Sequence, residues 1–144
     1  MKTLVLFYSY SGNTRAVADR EAIEQEADIE EIIEVKKPNM LVGLYRASRR
    51  KKTAIQPIKA TLDDYDKIIM MSPIWAAHPV SAFNSAIDCL PAGKKVELIM
   101  VSGGGGSKKS AEGTIALIKA RGCEVTDYTD LKATRKDKVT TEVL

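Results

Sequence analysis

The chain of 144 residues carries a formal net charge of +3, and 44% of its residues are hydrophobic. These values are ordinary for a soluble globular protein, and the length predicts a single domain, residues 1–144, with a substantial core. No apolar run reaches the length of a membrane span and the amino terminus lacks a signal-peptide pattern, so we expect a cytoplasmic protein that does not bind membranes.

Segments typical of strands and of helices alternate along the sequence, which predicts β/α units around a parallel sheet. The predicted strands are residues 3–7, 29–35, 68–71, 98–101 and 123–128. The first, third and fourth are almost wholly apolar, as strands covered on both faces are, whereas the second and fifth carry charged residues suited to sheet edges. We therefore predict a doubly wound, five-stranded parallel sheet of order 2-1-3-4-5, with helices on both faces.

Four helices are predicted to connect these strands. They cover residues 14–25 and 40–52, a segment that begins at residue 79, and residues 107 to 122. Asn39 is expected to cap the second helix, and Gly122 is a good stop signal for the fourth. The segment after Leu131 is polar, and we expect it to be partly ordered at most. In a sheet of this order, ligands bind in the crevice at the carboxyl ends of the first and third strands.

The loop after the first strand leads directly into a helix. Its residues are Ser9, Tyr10, Ser11, Gly12, Asn13 and Thr14. The amides of a first helical turn lack partners within the helix and carry partial positive charge, so with small polar side chains they bind anions. The loop has no Walker A lysine, so we expect it to hold a monophosphate and no metal ion. The alternative is a capped strand-to-helix junction that binds nothing.

Two further loops are predicted at the same edge of the sheet. One contains Ser72, Pro73, Ile74 and Trp75, the only tryptophan of the chain. The other contains Ser102, Gly103, Gly104, Gly105 and Gly106. A run of glycines lets backbone amides approach a flat ligand closely. The tryptophan loop and the glycine loop would form two walls beside the phosphate loop. The three loops together predict a slot for a planar ring on a phosphorylated tether, which is the shape of flavin mononucleotide (FMN).

The first loop resembles the phosphate loop of the flavodoxin family, a Ser/Thr-x-Ser/Thr-Gly-x-Thr pattern, and Pro73-Ile74-Trp75-Ala76 is similar to the loop that flanks the flavin ring in short flavodoxin-like proteins. The resemblance implies a flavodoxin-like fold with FMN as cofactor. It implies phosphate donors at Ser9, Ser11, Asn13 and Thr14, with Gly12 supplying the turn. Ile74 or Trp75 would lie against the ring, and the backbone from Ser102 through Gly105 would bound its other edge.

Two features depart from that family. The third loop lacks the tyrosine that many flavodoxins place over the ring, and the sequence pI of about 8.8 contrasts with the acidity typical of flavodoxins. The three loops also contain no Asp or Glu. Since nearby carboxylates disfavour the reduced, anionic flavin, we expect less electrostatic repulsion toward reduced FMN here than in an acidic flavodoxin.

Three functions remain open from the sequence. The leading hypothesis is an FMN-dependent electron-transport protein with no catalytic residue of its own. The alternative is an NAD(P)H-dependent quinone or flavin oxidoreductase on the same fold, for which the missing tyrosine would leave space over the ring. The third is a flavodoxin-fold binding module without flavin. Oxidation of NAD(P)H with a quinone would identify the reductase, and failure to take up FMN would identify the module.

A basic cluster lies at the end of the second predicted helix. It consists of Arg46, Arg49, Arg50, Lys51 and Lys52. Cations there complement the helix dipole, but their number also suits an acidic redox partner that docks near Arg46, Arg49 and Arg50. Nucleic-acid binding is disfavoured because no aromatic residues lie between these cations. His78 is expected to be structural, and Cys89 and Cys123 predict neither a disulfide nor a metal site.

Overall fold

The computed structural model of the chain describes residues 2–104, 106–135 and 138–143, with side chains for residues 2–104 and 106–133. The strands are β1 (Thr3–Phe7), β2 (Asp28–Glu31), β3 (Lys67–Trp75), β4 (His78–Pro79), β5 (Lys95–Ser102), β6 (Glu124–Arg135) and β7 (Lys138–Val143). The helices are α1 (Asn13–Glu24), α2 (Met40–Ser48), α3 (Ser81–Ile87) and α4 (Ala111–Ala120). None of the described helices has the length and apolar character that crossing a membrane requires.

The predicted sheet order is confirmed for the five parallel strands, which run β2-β1-β3-β5-β6. The predicted number of strands is wrong, because β7 pairs antiparallel with β6 and extends the sheet. β6 is therefore not the edge strand that its charged residues suggested. Residues 132–135 and 138–143, which were expected to be partly ordered at most, are strand, because Val and Thr residues favour extended backbone.

Helices cover both faces of the sheet, as predicted. One face, which includes Phe7 and Met71, packs against Val17 and Ala18 of α1. The opposite face, which includes Met70, packs against buried residues of α3 and α4. The alternation within β1, β3 and β5 places successive apolar side chains on opposite faces, which explains why these strands read as continuous apolar runs.

The helix boundaries differ from the predictions by one to several residues. Asn39 caps α2 as predicted, because its side-chain oxygen accepts a hydrogen bond of 2.9 Å from the Val42 amide. α2 stops at Ser48 rather than at residue 52, and Arg50 follows with a positive φ of 50°. α4 begins at Ala111, four residues later than predicted, because Ser107 to Ser110 form a separate turn.

β3 is longer than predicted and ends in a hairpin. It continues through Ser72 to Trp75, and Trp75 then pairs with His78 of β4. The two residues of the turn, Ala76 and Ala77, have φ angles of 52° and 66°. Two positive φ angles in a two-residue turn are normally met by Asn and Gly, so two alanines store strain beside the predicted slot.

Replacing the second of these alanines with glycine is expected to stabilise the protein. Ala77→Gly removes the cost of a left-handed backbone conformation at alanine, about 1–2 kcal/mol, but it also adds backbone entropy to the unfolded chain. The free energy of unfolding should therefore rise by about 0.5–1 kcal/mol. Urea denaturation measures this gain. Ala116→Gly, in the exposed middle of α4, provides the control of opposite sign and should cost about 1 kcal/mol. If both variants lose the same free energy of unfolding, Ala77 is not strained in the folded protein.

Candidate functional site

The loop between β1 and α1 leaves helix amides free. Gly12 turns the chain into α1 with a φ of 104°. The Ser9 hydroxyl oxygen accepts hydrogen bonds from the amides of Gly12 (3.0 Å) and Arg15 (3.2 Å), so its own proton remains available to a ligand. Within residues 2–104 and 106–133, nothing accepts a hydrogen bond from the amides of Asn13 and Thr14. These two amides are the donors that an anion would find at this helix start.

Side chains of the same loop complete the polar end of the site. The Asn13 Oδ1 atom is buried without a hydrogen-bond partner among the described residues, and a flip of this amide would present its NH₂ group instead. Thr14 is buried at the base of the loop. Arg15 forms an ion pair with Glu31 and lies over the Phe7 ring, so it is held away from the loop. The anion site is therefore built from amides and small side chains.

A slot of about 180 Å³ opens at the carboxyl ends of β1, β3 and β5. The predicted residues that line it are Tyr10, Ser11, Asn13, Thr14, Pro73, Ile74, Trp75, Ser102 and Gly103. The three loops that the sequence singled out thus meet on one cavity. Ser9, Gly12, Ser72 and Gly104 belong to the same loops but do not line the cavity, and Gly105 lies outside the described residues.

Trp75 is held in place by two contacts. Its ring lies edge-on to Tyr10, with the centroids 5.0 Å apart and an interplanar angle of 79°. The ring also lies so close to α2 that a Cβ atom at Gly43 would come within 2.4 Å of Trp75 Cζ3. Gly43 is therefore the residue of α2 that makes room for this aromatic wall.

The glycine loop leaves its side of the slot open. The Ser102 hydroxyl oxygen accepts a hydrogen bond of 3.1 Å from the Gly106 amide, which folds the loop back on β5. Gly103 and Gly104 are exposed, and ideal Cβ atoms at these positions would meet no heavy atom within 4 Å. Gly103, which lines the slot, therefore has open space beside it.

Three residues of the slot were not predicted: Met40, Val101 and Ala133. Met40 is the first residue of α2, and only the packing of α2 beside Trp75 brings it to the slot. Ala133 lies in the segment that was expected to be partly ordered. No local signal in the sequence identifies it as a site residue.

A second polar cluster lies beneath the glycine loop. The Ser107 hydroxyl donates to Asp130 Oδ1 at 2.5 Å and is also within 2.5 Å of the Tyr128 hydroxyl. Arg50 reaches the same region and donates to Thr114 Oγ1 (3.0 Å) and to the Ser110 carbonyl (2.8 Å). The guanidinium group of Arg50 thus joins the end of α2 to the start of α4.

His78 is expected to make stability depend on pH. Burial, reinforced by the positive charge of Arg50, lowers the pKa of this histidine, the only one in the chain. The unfolded chain then binds a proton at a higher pH than the folded protein, so folding stability falls as the pH drops through about 6.5. Chemical denaturation of the wild type and of His78→Gln at pH 8 and pH 5 measures this difference. If the wild type and His78→Gln lose the same stability between pH 8 and pH 5, His78 is not the source of the pH dependence.

The fold and the slot define a class, the flavodoxin-fold flavoproteins. Residues 1–128 match the family described as NADPH-dependent FMN reductase, and the chain belongs to that family. No curated protein matches the chain.

Solved structures show the same fold. A flavoprotein from Lactobacillus acidophilus, crystallised in complex with FMN, is 22% identical, with a TM-score of 0.73 over 90% of this chain and 92% of its own. A WrbA-like flavodoxin protein from Agrobacterium tumefaciens is 18% identical, with a TM-score of 0.67 over 92% and 83% of the two chains. Oxidised flavodoxin 1 from Bacillus cereus is 23% identical, with a TM-score of 0.55 over 95% and 89%.

These findings confirm the predicted fold class and FMN as the cofactor, and they place the protein in the flavodoxin-like superfamily rather than specifically among short flavodoxins. The site fits the cofactor on observations of its own. Free amides at the start of α1 suit a phosphate, and Asn13, whose buried Oδ1 atom has no hydrogen-bond partner among the described residues, lines the adjoining slot. The aromatic ring of Trp75 and the bare backbone of Gly103 both line the slot, and such surfaces suit a planar ring.

Proposed function

We propose that this flavoprotein is an NADPH-dependent oxidoreductase, which reduces a small acceptor such as a quinone or a free flavin. The observation that carries the proposal is the open space at Gly103, a residue of the slot lining where an added Cβ atom would meet no heavy atom within 4 Å, so that a second planar molecule has room there. Membership of the NADPH-dependent FMN reductase family supports it. Under this proposal the phosphate of FMN is held by the amides of Asn13 and Thr14 and by the Ser9 and Ser11 hydroxyls.

FMN, when bound, supplies the ring that exchanges electrons and hydride, so the protein has to bind and orient rather than to transfer protons. The described residues that line the slot match this task, because none of them is Asp, Glu, His, Lys or Arg. Ile74 and Trp75 give the ring an apolar wall, and the backbone at Ser102 and Gly103 limits its opposite edge. Met40 closes the end of the slot nearest α2.

The proposal is tested with purified protein loaded with FMN. We expect bound-flavin absorbance, quenched flavin fluorescence, and rapid oxidation of NADPH when a quinone is added without any other reductase. A protein that binds FMN but does not oxidise NADPH would contradict the proposal.

The electron-carrier hypothesis keeps one observation in its favour. α2 exposes apolar side chains beside the slot, including Leu41, which is 80% exposed, and Tyr45, which is 56% exposed. Such a surface suits contact with a protein partner. Under this hypothesis NADPH would leave the bound FMN oxidised, and only an added reductase would reduce it. Stopped-flow reduction under anaerobic conditions separates the two functions.

A carboxylate placed beside the slot is expected to lower the reduction potential of bound FMN. The slot lining contains no acidic side chain, and Gly103 has open space and an unstrained backbone. Gly103→Asp should therefore lower the midpoint potential by an amount on the order of tens of millivolts, because a negative charge disfavours added electrons. Gly103→Asn has the same shape without the charge and should leave the potential unchanged. Potentiometric titration that gives equal potentials for both variants would contradict this.

A further inference from the structure

A basic pocket of about 550 Å³ lies beside the flavin slot. Its cations are Lys36, Lys37 and Arg46, and Thr53 supplies a hydroxyl. Val35 and Val42 give it apolar walls. The hypothesis of a basic docking cluster includes Arg46 but not Lys36 and Lys37, which precede α2, and the proposed function does not yet account for the pocket.

The cations of this pocket lack carboxylate partners at ion-pair distance. In the described side chains, the ion pairs join Arg15 to Glu31, Lys52 to Asp88 and Lys67 to Glu97, so none involves the pocket. One acidic group, Glu34, interacts electrostatically with Arg46 and Lys37, and its carboxylate accepts a hydrogen bond from the Tyr8 hydroxyl. Three cations against one carboxylate leave a positive site suited to a multiply charged anion.

The pocket is next to the slot. Lys37 Nζ lies 4.1 Å from the centroid of the Tyr10 ring and donates to the Tyr10 carbonyl oxygen at 3.4 Å. Tyr10 in turn lines the slot, as does Met40, whose neighbour Asn39 lines the basic pocket. A ligand that reaches from one cavity to the other therefore passes along a single edge of the protein, over Tyr10 and the start of α2.

The side chain of Arg46 lines the pocket and is tethered by one hydrogen bond. Its guanidinium group donates to Thr53 Oγ1 at 3.3 Å, which holds a side chain that is otherwise flexible. A guanidinium group binds phosphate oxygens through two parallel hydrogen bonds, and lysines add charge around it. Because apolar walls accompany these donors, the pocket suits a phosphate attached to a flat, apolar group rather than an inorganic ion.

We propose that the basic pocket binds the adenosine 2′-phosphate of NADPH while the nicotinamide end enters the flavin slot. The identity of the ligand rests on the proposed function, but the site rests on the cations and their position. It gives the protein a means of preferring NADPH over NADH, which lacks this phosphate.

The first test measures binding without turnover. Isothermal titration of the FMN-loaded protein with adenosine 2′,5′-bisphosphate should give an affinity at least about tenfold higher than titration with AMP. Lys37→Gln and Arg46→Gln should each lower the affinity for the bisphosphate about five- to tenfold. Lys119→Gln makes the same charge change at the end of α4 and should leave this affinity unchanged. Glu34→Gln should strengthen binding, because it removes the opposing charge and keeps an acceptor for Tyr8.

The second test uses turnover with a quinone. The KM for NADPH should rise in Lys37→Gln and Arg46→Gln at unchanged kcat, and the KM for NADH should stay the same. If both variants bind the bisphosphate as the wild type does, the inference is overturned, even when NADPH oxidation upholds the proposed function. If they weaken the bisphosphate but the wild type oxidises no NADPH, the phosphate site stands and the proposed function fails.

Two other results would overturn the assignment. If Lys37→Gln and Arg46→Gln weaken the binding of NADPH and NADH equally, the pocket holds the pyrophosphate that both nucleotides share. Unchanged nucleotide binding together with weaker binding to an acidic electron-acceptor protein would mean that Lys37 and Arg46 serve a redox partner.

Discussion

Gly12→Val is expected to lower the affinity for FMN about a hundredfold, which corresponds to about 2.7 kcal/mol. Gly12 has a φ of 104°, a conformation that β-branched residues essentially never adopt. The variant relieves this strain by moving the start of α1, which takes the amides of Asn13 and Thr14 away from the phosphate. Titration of FMN fluorescence against protein measures the change.

Gly93→Val separates strain from ligand binding. Gly93 has a similar φ of 85°, and nothing lies within 4 Å of an added Cβ atom. It precedes β5, at the end of the sheet opposite the slot. We expect a loss of stability of about 1–2 kcal/mol and an unchanged affinity for FMN. If the two variants lose the same affinity, the loss at Gly12 comes from general destabilisation, and the phosphate assignment fails.

The second large effect is expected at Gly43. A methyl group there would lie 2.4 Å from Trp75 Cζ3, so Gly43→Ala has to displace the tryptophan ring from α2. Overpacking of this kind costs about 1–3 kcal/mol, against a gain of about 1 kcal/mol in helix propensity. Displacement of the ring should also lower the affinity for FMN about tenfold. Since Trp75 is the only tryptophan, its fluorescence spectrum reports the displacement directly.

Two further variants test this explanation. Gly43→Ala combined with Trp75→Phe should recover part of the stability, because the smaller ring clears the methyl group, and the coupling energy should reach about 1 kcal/mol or more. Gly113→Ala is the matched control on α4. Its methyl group would lie 2.5 Å from Arg50 Nη2 and would disturb the hydrogen bonds of that guanidinium group to Ser110 and Thr114. The methyl group meets Arg50 rather than Trp75, so Gly113→Ala should lose stability without a shift of the tryptophan spectrum. An unshifted tryptophan spectrum in Gly43→Ala would contradict the proposed contact.

The contact between Trp75 and Gly43 could not be predicted from the local sequence. Trp75 was predicted to lie in a loop at the rim of the slot, because prolines stand on both sides of it. In the structure it ends β3, pairs with His78 and packs on α2. The two alanines that form the hairpin have no turn signature, so their left-handed conformation is imposed by packing around them.

Arg50 gives a similar lesson about charge. In the sequence it belongs to a run of cations at the end of a helix, which is typical of a solvated surface. In the structure its guanidinium group donates to Ser110 and Thr114, more than fifty positions away in the sequence. Contacts of that kind depend on how α2 and α4 lie on the sheet, and composition carries no information about it.

The sequence by itself determined the parallel sheet, its order and the position of the polar loop between β1 and α1. These features follow from short-range patterns: apolar runs mark strands buried on both faces, and small polar residues between a strand and a helix expose free amides. The tertiary structure alone decided the last antiparallel strand, the position of Trp75 against Gly43 and the basic pocket beside Tyr10. Each of these joins segments that are distant in the chain, so its energy arises only after the helices and strands have packed.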